Sequence, residues 1–307
     1  MSGTPSIAVV GSSNIDMVAY TPRAPGPGET VIGDRFELGF GGKGANQAVM
    51  ARLLGADVFM VSCVGDDAYA EMTLANFESR GISTANVKSV PGSSGVAPIW
   101  VERDGTNRII VIPGANEKVT PEHAAAAIEA LPDLSVVVGQ FEIPQVATAG
   151  AFSAARARGI TTTILNPAPA AELDDALLNV TDWLIPNEVE FASLSGSGSL
   201  NDDAFRAFSD RHSVRLLVTL GEEGVALLGL DGKVLRIPAS PVVAMDTTGA
   251  GDAFVGGFSY GLAAGLDEGS AARLGIMCAS DSVTRPGTQT SFPDAERCQE
   301  ILTAVSE

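Results

Sequence analysis

The sequence predicts an α/β protein: a mostly parallel β-sheet with helices on both faces, accompanied by a small second sheet. Three observations lead there. Short β-branched runs alternate with helical segments over most of the chain. Strand-like segments near residues 15–40 and 95–112 break that alternation and read as a projecting sheet. The length of 307 residues, 45% of them hydrophobic, suffices for one large core. The expected division is a core of residues 1–14, 41–94 and 113–307 and a β lid of residues 15–40 and 95–112.

The chain opens with a buried strand at 7–10 that ends at Gly11. Weaker alternating segments at 17–20 and 31–38 flank the turn-rich Pro22-Arg-Ala-Pro-Gly-Pro-Gly28. A helix at 45–54 stops at Gly55. A strand at 58–64 and a helix at 71–80, with Gly81 just past its end, come next. Strands at 95–102 and 108–112 flank Arg103-Asp-Gly-Thr-Asn107, where Asp104-Gly105 is a hairpin signal. Then strands at 136–139, 161–165, 183–186 and 216–220 interleave with helices at 122–130, 146–158, 171–180, 187–194 and 202–211. Ser195-Gly-Ser-Gly-Ser199 is short enough for an ordinary loop. A hairpin at 225–228 and 234–237 turns at Asp231-Gly232. Helices at 250–265 and 270–282, a Gly/Pro/Thr loop and a last helix from Pro293 close the chain.

A formal net charge of −18 argues against nonspecific binding to nucleic acid or to anionic membranes. It leaves room for phosphorylated substrates, because backbone N–H groups can hold phosphate in an acidic protein. Cys63, Cys278 and Cys298 are scattered and odd in number, which suggests free thiols rather than a disulfide framework or zinc site. His123 and His212 lie in polar helical surroundings and are expected at the surface. The first residues lack a basic stretch followed by an apolar run, and no apolar run reaches the ~18 residues of a membrane span, so the expected location is cytoplasmic.

Five constellations carry chemistry. Asp246-Thr-Thr-Gly-Ala-Gly-Asp252 brings small residues to the start of a helix, where N–H groups and the helix dipole favour developing negative charge. Asp252 beside this cradle can take a proton from an attacking hydroxyl, as phosphoryl transfer requires, although it also reads as a helix cap. Leu38-Gly-Phe-Gly-Gly-Lys-Gly-Ala-Asn-Gln47 matches GxGxxG at Gly39, Gly41 and Gly44. It does not follow the first strand, however, and no acidic residue stands at the tip of the next one, as a dinucleotide fold needs. A P-loop also fails, since Glu37 replaces the first glycine and Gly44 follows Lys43. What remains is a polyol site with Lys43 and Asn46 as donors, or a turn that opens the helix. Asn14-Ile-Asp16 follows the first strand and turns an amide and a carboxylate to the same side, suited to vicinal hydroxyls or to a solvated turn. Asn187 and Glu190 share a helix face and could serve a phosphate and hydrated Mg²⁺, or form a capping box. Thr219-Leu-Gly-Glu-Glu-Gly224 could carry a nucleotide base or ribose, or enter a hairpin.

Gly41-Gly-Lys-Gly-Ala-Asn46 and the Asp246–Asp252 string resemble the two signatures of the ribokinase family of carbohydrate kinases, which also includes minor-type phosphofructokinases and adenosine kinase. The likeness runs from Ile7 to the last helix. It is reinforced by Asn14 with Asp16, Pro25-Gly-Pro-Gly-Glu-Thr30, Asn166-Pro-Ala-Pro169 and Val283-Thr-Arg-Pro-Gly287. The resemblance implies a Rossmann-like three-layer αβα core with a small β-sheet lid, often used for dimerisation. It implies ATP-dependent phosphorylation of the terminal hydroxyl of a small sugar, D-ribose above all. Asp252 would be the general base, and Gly249, Ala250 and Gly251 the anion hole. Asn14, Asp16, Gly42, Lys43, Asn46 and Glu142 would hold the sugar. Asn187, Glu190, Thr219, Gly221, Gly224 and Gly251 would face ATP and Mg²⁺. The family's monovalent-cation loop maps to Asp246, Thr248, Ser282, Arg285, Gly287 and Ser291, and the choice of K⁺ rests on the resemblance alone. Ser282 stands where alanine is common, at a position that would contribute its carbonyl.

The alternatives are a kinase of this fold for deoxyribose, fructose or a nucleoside, and a noncatalytic sugar-binding regulator. A nucleoside needs an aromatic or bulky apolar wall that Asn14-Ile-Asp16 does not offer. Deoxyribose leaves the partners of a 2-hydroxyl unpaired. A regulator would have lost the base or the anion hole, and both are present. The lid's unpaired strand edges and inner face predict a homodimer formed through it.

Overall fold

The computed structural model describes residues 3–159, 162–196 and 198–306. Its centre is a nine-stranded sheet in the order β13-β12-β11-β10-β9-β8-β1-β4-β5. These strands are β1 (Ser6–Val10), β4 (Asp57–Val64), β5 (Ser83–Ser89), β8 (Val136–Gly139), β9 (Thr163–Leu165), β10 (Trp183–Leu184), β11 (Arg215–Thr219), β12 (Val225–Leu228) and β13 (Val234–Ile237). The pairs from β11 to β5 are parallel, whereas β12 and β13 add as an antiparallel hairpin. Parallel strands must be covered on both faces, and their near-continuous apolar runs reflect this. One face packs on α1 (Lys43–Leu53), α8 (Ala250–Ala263), α9 (Glu268–Ser282) and α10 (Ala295–Ser306), with Phe77 of α2 (Ala68–Ser79) in the same cluster. The other packs on α3 (Pro121–Ala130), α4 (Gln145–Ala157), α5 (Asp175–Leu178), α6 (Glu188–Ser195) and α7 (Asp202–His212).

The second sheet has four strands in the order β3-β2-β6-β7: β2 (Asn14–Thr21), β3 (Arg35–Gly41), β6 (Gly95–Glu102) and β7 (Asn107–Ile109). The chain passes from β1 into β2 through only Gly11, Ser12 and Ser13, so the small sheet grows directly out of the carboxyl edge of the large one.

The fold class is as the sequence predicts, with local differences. β5 was not anticipated, because Ser83-Thr-Ala-Asn-Val-Lys-Ser89 has little apolar content; it is an edge strand paired only with β4. The helix expected at 171–180 contracts to Asp175–Leu178, started by Asp174 accepting from the Ala176 N–H. The strand expected at 31–38 begins at Arg35 and runs to Gly41. Of the strand expected at 161–165, Thr161 lies outside the described residues, as does Ser197 of the Ser/Gly loop. His123 is buried, not at the surface: its Nε2 meets the Asn86 carbonyl at 3.0 Å and Nδ1 lies 3.9 Å from Cys63 Sγ. Burial, more than nearby Lys88, holds its pKa below the ordinary histidine value. All three cysteines are buried and free. No helix among the described residues is long and apolar enough to cross a membrane.

Candidate active site

Strand order decides where a site can form. From β1 the sheet grows one way through β4 and β5 and the other way through β8 to β11. Loops leaving β1 and β8 therefore part company, which opens a crevice at their carboxyl ends. Asn14 follows β1, Glu142 follows β8, and α1 begins beside both. Gly42, the residue before α1, has φ 87°, and a Cβ there would lie 2.9 Å from the Asn14 nitrogen. Only glycine fits this left-handed, crowded position. No side chain caps α1 in the ordinary way. Instead Glu142 Oε2 accepts from Ser12 Oγ at 2.6 Å and from the Lys43 N–H at 2.9 Å, while Ser12 Oγ accepts from the Gly44 N–H at 3.2 Å. One oxygen of Glu142 is thus committed to the helix start.

Asn14 and Asp16 stand on β2, on the same face and both buried. Asn116 fixes Asn14: its Nδ2 donates to Asn14 Oδ1 at 2.8 Å while its own Oδ1 accepts from the Ser13 N–H at 3.0 Å. Asn14 Nδ2 is thereby kept as a donor. Thr288 Oγ1 donates to Asp16 Oδ2 at 3.3 Å. Burial, aided by nearby Glu142 and Asp252 and opposed by Thr288, pushes the Asp16 pKa up to about 6. Asn14, Asn116 and Glu142, with Val111 and Pro169, line a cavity of about 610 Å³. For Lys43, burial is the largest influence and acts downward, yet Asp252, Glu142 and Glu190 together hold its pKa above the ordinary value.

Asp252 lies in the first turn of α8 and is buried. Both carboxylate oxygens are held by α1: Oδ2 accepts from Asn46 Nδ2 at 2.8 Å and Oδ1 from Gln47 Nε2 at 3.0 Å. Behind them Gln140 Nε2 donates to Gln47 Oε1 at 2.7 Å, and Gln47 Nε2 also reaches Asn166 Oδ1 at 3.2 Å. The N-cap of α8 is Gly249, with φ 78° and no capping side chain; a Cβ there would meet Thr288 Cγ2 at 2.8 Å. The Ala250 N–H already donates to the Thr247 carbonyl at 3.2 Å. The cradle is therefore centred on Gly251, where an added Cβ would meet nothing within 4 Å.

Gly251 also lines a second cleft, of about 910 Å³, together with Asn187, Thr219, Gly221, Gly224 and Ala250; Val242, Phe254 and Ile276 supply apolar wall. Asn187 and Glu190 do form the capping box that their spacing allowed: Asn187 Oδ1 accepts from the Glu190 N–H and Glu190 Oε2 from the Asn187 N–H, both at 2.8 Å. This leaves Glu190 Oε1 and Asn187 Nδ2 for a ligand. Burial, with Asp252 adding to it, raises the Glu190 pKa against the pull of the Asn187 N–H and Lys43.

The late loop folds back beside Asp246, whose Oδ2 accepts from the Gly287 N–H at 2.9 Å. Its Oδ1 accepts from the Thr248 N–H at 2.9 Å and Thr248 Oγ1 at 2.6 Å. Burial is the largest influence on Asp246 and acts upward, but these donors outweigh it and keep the carboxyl below its ordinary pKa. The Ser282 carbonyl accepts from the Arg285 N–H at 3.3 Å. The Ser291 carbonyl accepts from Arg285 Nε at 3.1 Å and Nη2 at 2.8 Å. Among the described residues no cluster of three or more His, Cys, Asp or Glu side chains could hold a metal ion.

Of the residues singled out in the sequence, Asn14 and Glu142 line the first cavity, Asn187, Thr219, Gly221, Gly224, Ala250 and Gly251 line the second, and Asp246, Thr248 and Gly287 meet in the folded-back loop, whereas Asp16, Gly42, Lys43, Asn46, Glu190 and Asp252 line neither cavity. Sequence reasoning missed Ser12, Gln47, Asn116, Gln140, Thr288 and Gln289. Of these, Gln47 carried a usable signal, standing directly after Asn46, whereas Asn116 and Gln289 carried none.

Residues 4–295 match the profile of the pfkB family carbohydrate kinases. The chain is 40% identical over 302 residues to the deoxyribokinase of Salmonella typhi, covering 96% of this chain and 98% of that protein. It is 38% identical over 289 residues to the ribokinase of Lactococcus lactis, covering 94% and 93%. The structure of Arabidopsis thaliana ribokinase complexed with ribose and ATP superposes with a TM-score of 0.88 at 29% identity, covering 98% of this chain and 99% of that one.

Proposed function

The chain belongs to the pfkB family of carbohydrate kinases and is a phosphotransferase, and on that premise we propose that it moves the γ-phosphoryl group of ATP to the terminal hydroxyl of D-ribose. The observation that carries this reading is the position of Gly251: it opens into the 910 Å³ cleft, while its neighbour Asp252 is held by the helix that begins at the smaller cavity. A hydroxyl from one side and a phosphate from the other can therefore meet at one carboxylate.

Asp16 accepts from vicinal sugar hydroxyls, and Asn14, Lys43 and Asn46 donate to the sugar beside the Gly42 backbone and Glu142. Asp252 takes the proton of the attacking hydroxyl. The start of α8, Gly249 through Gly251, faces the charge that develops on the phosphoryl oxygens. Asn187, Thr219, Gly221 and Gly224 line the nucleotide's place. A magnesium ion brought with ATP would supply neutralisation of phosphate charge, and Asn187 and Glu190 would face it. Glu190 and Asn187 suit a hydrated ion rather than a protein cage, since each spends one atom on the capping box. K⁺ suits the all-oxygen set of Asp246, Thr248, Ser282, Arg285, Gly287 and Ser291, with Asp246 ionised. Ser291 is its weakest member, because Arg285 already donates twice to that carbonyl.

Deoxyribose is the second reading, favoured by the 40% identity to the Salmonella protein. The polar set around Asn14 and Asp16 favours ribose, since a missing 2-hydroxyl would leave buried groups unpaired. The lid pairs two copies: Phe36, Leu38 and the run Ile109, Ile110, Val111 and Ile112 are 45% to 62% exposed, an apolar surface that a twofold partner would cover. A coupled ATP-consumption assay over D-ribose, 2-deoxy-D-ribose, fructose and adenosine tests the acceptor. Highest kcat/KM with ribose supports the reading; a higher value with 2-deoxyribose replaces it with the second, and no turnover with any sugar overturns both.

A further inference from the structure

The carboxylate of Asp252 stands at the end of a chain of side-chain amides that starts about two helices away. Arg80 Nε donates to Asn76 Oδ1 at 3.2 Å, and Asn76 Nδ2 donates to Gln289 Oε1 at 3.1 Å. Gln289 Nε2 donates to Asn46 Oδ1 at 3.1 Å, and Asn46 Nδ2 donates to Asp252 Oδ2 at 2.8 Å. An amide group can face either way in isolation, so the direction of such a chain is set by its ends. Here both ends are unambiguous. A guanidinium can only donate, and an ionised carboxylate can only accept. Every link between them points the same way, from cation to anion. Gln289 and Asn46 are buried, so water does not substitute for a lost link without rearrangement.

We propose that Arg80, Asn76 and Gln289 form a polarised relay of positioning residues that turns the Asn46 amide so that its NH₂ group, not its oxygen, meets the base Asp252. The proposal rests on the reading of Asp252 as the base. It goes beyond that reading because none of the three touches either cavity. Gln289 is the critical link. It belongs to the same loop as Gly287, whose N–H binds Asp246, and as Thr288, which reaches Asp16. Displacing this loop would release the Asn46 oxygen, and an amide free to turn would present a lone pair to the carboxylate. The charged groups acting around Asp252 are Lys43, Asp16 and Glu190. None of them contacts Gln289 through a side-chain hydrogen bond, and apart from Thr288 reaching Asp16 the direct route from Gln289 to the base is Asn46.

Two variants separate polarity from packing. Gln289→Glu keeps shape but can only accept when ionised, so it competes with Asp252 for the Asn46 NH₂. Gln289→Met keeps length without any polarity. The expected result for Gln289→Glu is a ~10-fold fall in kcat near neutral pH, with the acidic limb of the kcat profile displaced upward and KM for ATP unchanged. Gln289→Met should lose less and leave the limb closer to wild type. Wild-type kcat and pH profile in Gln289→Glu would overturn the relay. So would losses in both variants that follow their melting temperatures while the profile stays put. A carbon-13 NMR titration of the Asp252 carboxyl, assigned through Asp252→Asn, gives the same answer without turnover. An upward shift in Gln289→Glu supports the relay, and superimposable titrations sink it. If the wild type phosphorylates no sugar, the kinase reading fails on its own, and the NMR titration still decides the relay.

Discussion

Asp16 should make the protein less stable at neutral pH than it would be without it. The side chain is only 9% exposed, and burial pushes its pKa from 3.8 to about 6. A raised folded-state value means that the folded chain holds the proton more tightly than the unfolded chain does. The associated stability is complete below about pH 4, drains away as pH rises through 6, and is absent above that. A shift of about two units corresponds to roughly 3 kcal/mol between those limits. Asp16→Asn removes the ionisation while its amide oxygen can still accept from Thr288. Measured by thermal unfolding from pH 4 to pH 8, the variant should match wild type at the acidic end and melt roughly 5 °C higher at the alkaline end. The same variant should lose kcat/KM for the sugar, because an acceptor for hydroxyl protons has become partly a donor. An equal difference in melting temperature at pH 4 and pH 8 would refute the reasoning, since it would mean that Asp16 is not a strained carboxylate.

Asp252→Asn should retain ATP and sugar binding but lose about 10²–10⁴-fold in kcat, read by steady-state kinetics alongside calorimetric binding; near-normal turnover would remove Asp252 from its role. Activity in a buffer free of monovalent metal ions should rise on adding K⁺ more than on adding Na⁺ at matched ionic strength, through ordering of the loop around Asp246; equal rates in all three would sink the cation site. Replacing Phe36 and Ile110 by Glu should convert a dimer to a monomer in sedimentation at micromolar concentration, and a wild type already monomeric and fully active would count against pairing through the lid.

What was legible in the sequence follows from how local each signal is. The parallel core was readable because buried strands such as Val136 to Gly139 are short apolar runs bounded by helices. The start of α8 was readable because small residues at Gly249, Ala250 and Gly251 mark where a helix opens, and the helix does begin at Ala250. β5 escaped because an edge strand needs no buried side chains on most of its length. His123 was misplaced because only tertiary packing of α3 against β4 and β5 buries it, and its neighbours in sequence are polar or small. Gln289 and Asn116 were invisible for a stricter reason. Each acts through a partner more than a hundred residues away, Asn46 or Asn14, and a lone amide has no spacing to betray it.

The short passage from β1 into β2 has a consequence for how such a protein can change its diet. Asn14 and Asp16 ride on the small sheet, whereas Asp252 and the cleft behind Gly251 belong to the large one. On the proposed reading, two of the groups that would read the acceptor ride on the small sheet, while Gly42, Lys43, Asn46 and Glu142 stay with the large one. Substitutions on β2 would then retune which molecule is admitted, limited by Thr288, which ties Asp16 to the start of α8. On the same reading, an acceptor site divided between two sheets is complete only when they sit together. The joint between the sheets would therefore be the place where acceptor preference can drift.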